Sequence, residues 1–182
     1  MINFFFLRHF ETANSQNHIL SGQNIELPVQ ESPPIRTDIP IDAIFCSTAL
    51  RCRQTAEAFL KGQPKCIIFY SDLLLERDLG VLQGKSRAIA AVEYADFFEG
   101  DKLNVFSTPP KGESYVHFEE RVARAKDWIN DSSINFNNIL ICSHNQFLKM
   151  LLYALRGELI NSVEWHKLTF PCGKIVPIDL NK

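Results

Sequence analysis

At 182 residues, 46% of them hydrophobic and 22% charged, the chain has apolar content for one buried core and too little length for two, so a single domain over 1–182 is expected. The formal net charge of −2 excludes the broad basic field that draws nucleic acid or an anionic membrane surface, and any anion must be caught locally. No apolar run is long enough for a membrane helix, and the apolar opening lacks the basic lead and small-residue cleavage site of a secretory leader, which points to the cytoplasm.

The first element is Ile2 to Leu7, an almost continuous apolar run bounded by polar residues. That is the pattern of a strand covered on both faces, as in a parallel sheet between helices. It runs into Arg8 and His9, polar groups that a core cannot leave unpaired. The stretch from Leu27 to Pro40 carries Pro28, Pro33, Pro34 and Pro40, which exclude a long regular helix and leave an irregular connection.

Similar apolar runs return at "DAIFCS" (42–47), "CIIFY" (66–70) and "NILICS" (138–143), giving three further buried strands. Helical patterns separate them. "ALRCRQTAEAFLKG" stops at Gly62 and "SRAIAAVEYADFFEG" at Gly100; "SYVHFEERVARAKDWIN" places Phe118, Val122, Ala125 and Ile129 on one face behind Ser114 as N-cap. "QFLKMLLYALRG" ends at Gly157. The tail, "KLTF", "PCG", "KIVPIDL", has the form of a terminal hairpin, with Pro177 confining its last strand to an edge. Strands alternating with helices predict an α/β fold, a three-layer sandwich with a mainly parallel central sheet flanked by helices. Cys46, Cys52, Cys66, Cys142 and Cys172 form no CxxC pair and no even disulfide set, so they are expected to be reduced and without zinc.

In an open α/β sheet, ligands sit outside the carboxyl ends of the strands. The residues that follow the apolar runs are Arg8 and His9, Ser47 to Arg51, Glu76, and Ser143 with His144. Two arginines hold a phosphate dianion through planar forks of donors and need no metal to do so. A histidine beside them attacks phosphorus through one ring nitrogen when the other is held by a hydrogen bond. A second histidine donates to an equatorial oxygen, and a carboxyl group serves as acid to the leaving alkoxide and base to the attacking water.

These residues lie in segments that resemble a known family. "LRHFETANSQNHILSG" resembles the R-H-G-E-T signature of the histidine phosphatase superfamily, the phosphoglycerate mutase-like proteins. "CSTALRCRQTAEAF" resembles that family's second phosphate-binding segment, "LLLERDLGVLQG" the segment with the acid/base glutamate, "PPKGES" a turn ahead of a helix, and "ILICSHNQFLKMLL" the segment with the second histidine. The resemblance covers residues 2–152 and follows the family's order. It implies a histidine acid phosphatase-type phosphoric monoester hydrolase, with His9 as nucleophile, Arg8, Arg51 and His144 forming the phosphate pocket, and Glu76 as proton donor. It implies no metal and no cofactor, a small phosphorylated substrate or a phosphoprotein as partner, and neither nucleic acid nor membrane.

The chain departs from the family where glycines usually follow the two histidines, because Phe10 and Asn145 stand there. Both are expected to narrow or reshape the pocket, Asn145 as a substrate contact, and Phe10 to sit awkwardly if the position needs a positive φ. The phosphate-contacting asparagine of the family corresponds to Asn14 or Ser15. Arg77 has two open roles, pairing with Glu76 or pointing away, and Arg53 is expected to face solvent. Glu113 is assigned a capping role with Ser114. Phe97, Phe98 and Phe106 form either core or a lid. His18, His117 and His166 are expected to be surface or locally bonded residues. Hydrolysis through phospho-His9 is favoured over phosphoglycerate mutase-type transfer, since Lys85, Arg87, Lys102 and Lys111 include no paired arginines. A catalytically degenerate phosphate-binding or interaction protein is the rival from another class, kept by Phe10 and Asn145.

Overall fold

The computed structural model describes residues 2–63 and 65–180. The strands are β1 (Asn3–Arg8), β2 (Ala43–Ser47), β3 (Ile67–Ser71), β4 (Phe98–Glu99), β5 (Lys102–Leu103), β6 (Asn138–Ser143) and β7 (Ile175–Ile178). The helices are α1 (Ala13–Gln16), α2 (Leu50–Leu60), α3 (Arg87–Glu93), α4 (Tyr115–Ser132), α5 (Asn145–Arg156) and α6 (Ser162–Lys167). The main sheet has the order β3-β2-β6-β1-β7. Its first four strands are parallel and β7 closes the edge antiparallel to β1.

The apolar run of β1 is explained by burial on both faces. Phe4 and Phe6 point into a core shared with Phe118, Val122, Ala125 and Ile129 of α4 and with the apolar side of α5. Phe5 and Leu7 point the other way, to Cys52, Ala56 and Phe59 of α2 and to Ile35 and Ile41 of the proline-bearing connection. Alternation between faces is the period of a strand, so both sets of residues must be apolar. The fold is therefore the mainly parallel, helix-flanked sheet expected from the sequence. Pro177 lies on the edge strand, opposite Phe5 of β1.

The local signals of α4 and α5 hold. Ser114 accepts from the His117 N–H as N-cap, and Gly157 ends α5 at φ +66°, a conformation glycine adopts without penalty. The tail is not a hairpin. Lys167 of "KLTF" ends α6 and the other three residues are irregular, and β7 pairs with β1, a partner far away in sequence. The helix expected up to Gly100 is also shorter, for α3 ends at Glu93 and the chain turns through the β4–β5 hairpin. Phe98 joins a small cluster with Leu79, Leu82 and Leu103 away from the main core, while Phe106 is exposed against Tyr115.

Candidate active site

Because β1 and β6 are parallel neighbours with Arg8 opposite Ser143, His9 and His144 leave the sheet side by side. Their rings are 5.2 Å apart, edge to face. Arg51 is brought in by the first turn of α2, after β2, and Glu76 by the loop after β3. Arg8, His9, Ser15, Arg51, Glu76, His144 and Asn145 line one solvent-open cleft, so the sequence-distant turns do converge.

His9 is 6% exposed. Its Nδ1 lies 2.6 Å from the Phe10 carbonyl oxygen; a carbonyl only accepts, so Nδ1 carries the proton. Nε2 then holds a lone pair, and among the described residues it has no hydrogen-bond partner. Burial pushes the His9 pKa down to about 3; the Arg51 guanidinium adds to this, the Phe10 carbonyl opposes it, and Arg8 lowers it further. The ring is thus neutral at ordinary pH.

His144 is fully buried and differently bonded. Arg51 Nε donates to its Nδ1 at 3.2 Å, which leaves the proton on Nε2, 3.0 Å from Ser47 Oγ. Both ring nitrogens are engaged within the protein, so the expected bond to a phosphate oxygen is not preformed. Burial, then Arg51, His9, Arg121 and Arg8, hold its pKa well below the usual histidine value.

Arg51 is anchored by the segment that follows α1. Its two terminal nitrogens donate to the carbonyls of Ile25 and Gly22, each at 2.9 Å. A guanidinium carries five N–H groups, and these bonds with the one to His144 leave two for a ligand. Arg8 is less committed. One terminal nitrogen donates to the Phe170 carbonyl at 3.2 Å, while Nε is buried with no partner among the described residues. An unpaired buried donor of a charged group is costly.

Glu76 lies against the start of α5. Its carboxylate accepts from the N–H groups of Gln146 at 3.2 Å, Phe147 at 3.0 Å and Arg77 at 3.1 Å, so the helix N-terminus fixes its position. Arg121 secures the same loop, donating to the carbonyls of Leu73, Leu75 and Glu76 while paired with Glu113 at 2.8 Å. Glu113 therefore holds Arg121 and, through one oxygen, the Asp78 N–H, rather than capping α4. Arg77 points away from Glu76, with its guanidinium on the carbonyls of Val105, Ser107 and Glu113. Arg53 is exposed as expected.

The two departures from the family glycines prove compatible with the backbone. Among the described residues the only non-glycine positive φ values are at His18 and Lys111, so neither Phe10 nor Asn145 is strained. Phe10 N–H donates to Thr55 Oγ1 at 2.9 Å, and its ring turns away from the cleft onto Gly173, where a Cβ would come within 2.2 Å of it. The expected narrowing by Phe10 is absent because Gly173 makes room behind the strand. Asn145 does line the cleft, and its side-chain oxygen accepts from the Phe170 N–H at 3.1 Å.

Ser15 lines the cleft, but its hydroxyl is engaged with Thr12 in the capping box of α1. Asn14 is not a lining residue; its amide donates to Ser21 Oγ at 3.2 Å. His18 is exposed, as expected, and with Arg87 it also lines the cleft. His117 is exposed, and His166 pairs with Glu99 at 2.9 Å. Thr55, which fixes the loop after His9, was visible within "RCRQTA" one helical turn after Arg51. Arg87 had no such signal, since it sits in a separate helix with no motif.

Residues 33–179 match the family model described as the histidine phosphatase superfamily, branch 1. That range holds Arg51, Glu76 and His144 and begins after Arg8 and His9. A probable phosphatase of Schizosaccharomyces pombe is 33% identical over 88 residues, 44% of this chain and 42% of that protein, so the match spans under half of that relative. The 2,3-bisphosphoglycerate-dependent phosphoglycerate mutase of Chlamydia abortus is 24% identical over 92% of this chain and 89% of its own. Among solved structures, the alpha-ribazole phosphatase of Shigella flexneri superposes with a TM-score of 0.76 at 21% identity, covering 98% of this chain and 90% of that one. This last likeness is one of fold.

Proposed function

The chain belongs to the histidine phosphatase superfamily, and from that premise we propose that it is a metal-independent phosphatase hydrolysing a phosphomonoester through a phosphohistidine on His9. The observation that carries this reading is the state of His9. It is a neutral imidazole with Nδ1–H tied to the Phe10 carbonyl, and its Nε2 has no hydrogen-bond partner among the described residues in a cleft that also contains Arg8, Arg51 and Glu76.

In the first step Nε2 of His9 bonds to phosphorus as the ester P–O bond breaks, and the leaving alkoxide takes the proton of the Glu76 carboxyl group. In the second, Glu76 takes a proton from water as the water oxygen attacks phosphorus and the N–P bond breaks, releasing inorganic phosphate. Arg8 and Arg51 hold the non-bridging oxygens and neutralise the charge that spreads over them. His144 acts first by fixing the Arg51 guanidinium. Its Nε2 proton can exchange Ser47 for a phosphate oxygen without a change of tautomer, which restores the direct contact expected from the family. The rival reading as a degenerate binding protein, kept by Phe10 and Asn145, is weakened at Phe10, whose ring lies against Gly173 outside the cleft, while Asn145 lines it.

The test is hydrolysis of p-nitrophenyl phosphate in excess EDTA between pH 5 and 8. Turnover is expected, and no release above background with this and varied phosphate esters would overturn the phosphatase reading. Conversion of 3-phosphoglycerate to 2-phosphoglycerate faster than its hydrolysis would replace hydrolysis with mutase-type transfer.

A further inference from the structure

Asn145 opens α5 directly after His144, at a position where asparagine is a weak helix former. Its side chain does not cap the helix: His144 holds the N-cap position, and the N–H groups of Gln146 and Phe147 go to Glu76. The Asn145 amide reaches instead to the segment that follows α6. Its Oδ1 accepts from the Phe170 N–H at 3.1 Å and from Thr169 Oγ1 at 3.4 Å. A backbone N–H only donates, so the amide oxygen must be the atom on that side.

Phe170 in turn holds Arg8, for its carbonyl accepts from Arg8 Nη1 at 3.2 Å. Residues 168–171 form neither helix nor strand, and Pro171 has no N–H to offer. The N–H and C=O of Phe170 are therefore met by two side chains, Asn145 and Arg8. The Phe170 ring is 4% exposed and stands edge to face with the Phe6 ring at 5.3 Å, which ties the same residue to β1 two positions before Arg8. With its ring packed and its N–H bonded, Phe170 presents its carbonyl in one direction. A guanidinium is planar, so a bond at Nη1 constrains the whole group. Nε and Nη2 make up the remaining fork, and neither has a protein partner among the described residues.

We propose that Asn145 is a positioning residue for Arg8: through Phe170 it aims the Nε–Nη2 fork of Arg8 at the phosphoryl group. The inference rests on the phosphatase reading and deepens it, because the effect of Asn145 runs through Arg8 rather than through contact with substrate. A glycine at this position, the residue usual after the second histidine, has no side chain with which to hold Phe170.

A double-mutant cycle on p-nitrophenyl phosphate separates this role from a structural one. Asn145→Ala should lower kcat/KM about tenfold when Arg8 is intact, the loss of one aimed, charge-assisted contact. In the Arg8→Ala background the same substitution should lower it less than about twofold, because no fork remains to be aimed. Arg8→Lys keeps a cation without a fork; as a second background it should give the same small effect, and it guards against poor folding of Arg8→Ala. A loss of similar size in every background would mark Asn145 as a scaffold for α5 or a direct substrate contact and would overturn the proposal. So would an Asn145→Ala protein as active as wild type. If wild type turns over no ester, the phosphatase reading is what fails, and the same cycle on the affinity for inorganic phosphate, measured by calorimetric titration, still decides the role of Asn145.

Discussion

His9 and His144 stand at the ends of adjacent parallel strands, with Arg8 opposite Ser143 in the register, and each is followed by a residue other than glycine. After β1 the chain leaves as a loop, so the His9 ring is held at one nitrogen by the Phe10 carbonyl and keeps the other free. After β6 it enters α5 at once, and the His144 ring is held at both nitrogens by Arg51 and Ser47. Similar placement on the sheet thus gives one ring that can form a bond and one that positions its neighbours. What separates them is the first-turn geometry beyond the strand, not the residue type.

The comparison can be broken most decisively at the histidines themselves. His9→Ala should lose at least about 10³-fold in kcat on p-nitrophenyl phosphate, since no other group takes over attack on phosphorus. His144→Ala should lose less, about 10²-fold, with some of the loss in KM through a misdirected Arg51. Steady-state kinetics on both proteins checks the order, and a larger loss at His144 would reverse the assignment.

The next effect is on stability. The unfolded His9 titrates near its usual value of 6.5, the folded one at about 3. Between these values the unfolded chain binds a proton that the folded chain does not, so this contribution to stability is present above pH 6.5 and is lost as pH falls towards 3. From pH 7 to pH 4, wild type should lose about 3 kcal/mol more than His9→Asn in urea unfolding. Parallel curves would show that His9 is not held neutral by the fold.

A smaller effect concerns the space that lets Phe10 leave the cleft. Gly173 has φ +66°, and a Cβ there would lie 2.2 Å from a Phe10 ring carbon. Gly173→Ala should cost about 2 kcal/mol from backbone strain and the clash together. Adding Phe10→Ala should recover part of it, which a double-mutant cycle measures. Smallest of all, Phe10→Ala alone should change kcat/KM by less than about threefold while lowering stability by about 1–3 kcal/mol, because its ring packs behind the strand.

Much of this architecture was legible in the chain. The two-sided burial of β1 follows from "INFFFL", and the face of α4 from the spacing of Phe118, Val122, Ala125 and Ile129. Converging polar residues could be named because the carboxyl ends of parallel strands share one edge. What escaped depends on contacts between distant segments. Helix α6 buries Trp165 alone, so it has no apolar period to detect, and β7 finds its partner in β1 across most of the chain. The direction of the Phe10 ring depended on Gly173, the engagement of His144 on Ser47 and Arg51, and the placement of the Lys149 ammonium on the Trp165 carbonyl. None of these pairs lies close enough in sequence to announce itself.

The central claim is that His9 carries the phosphoryl group, and its most direct test is acid-free trapping of the intermediate. Wild type mixed with phosphorus-32-labelled substrate and quenched in alkaline denaturant should retain one base-stable, acid-labile phosphoryl group per chain, mapped by peptide analysis to His9 and absent from His9→Ala. Turnover with no trapped label, or label that persists in His9→Ala, would contradict the account.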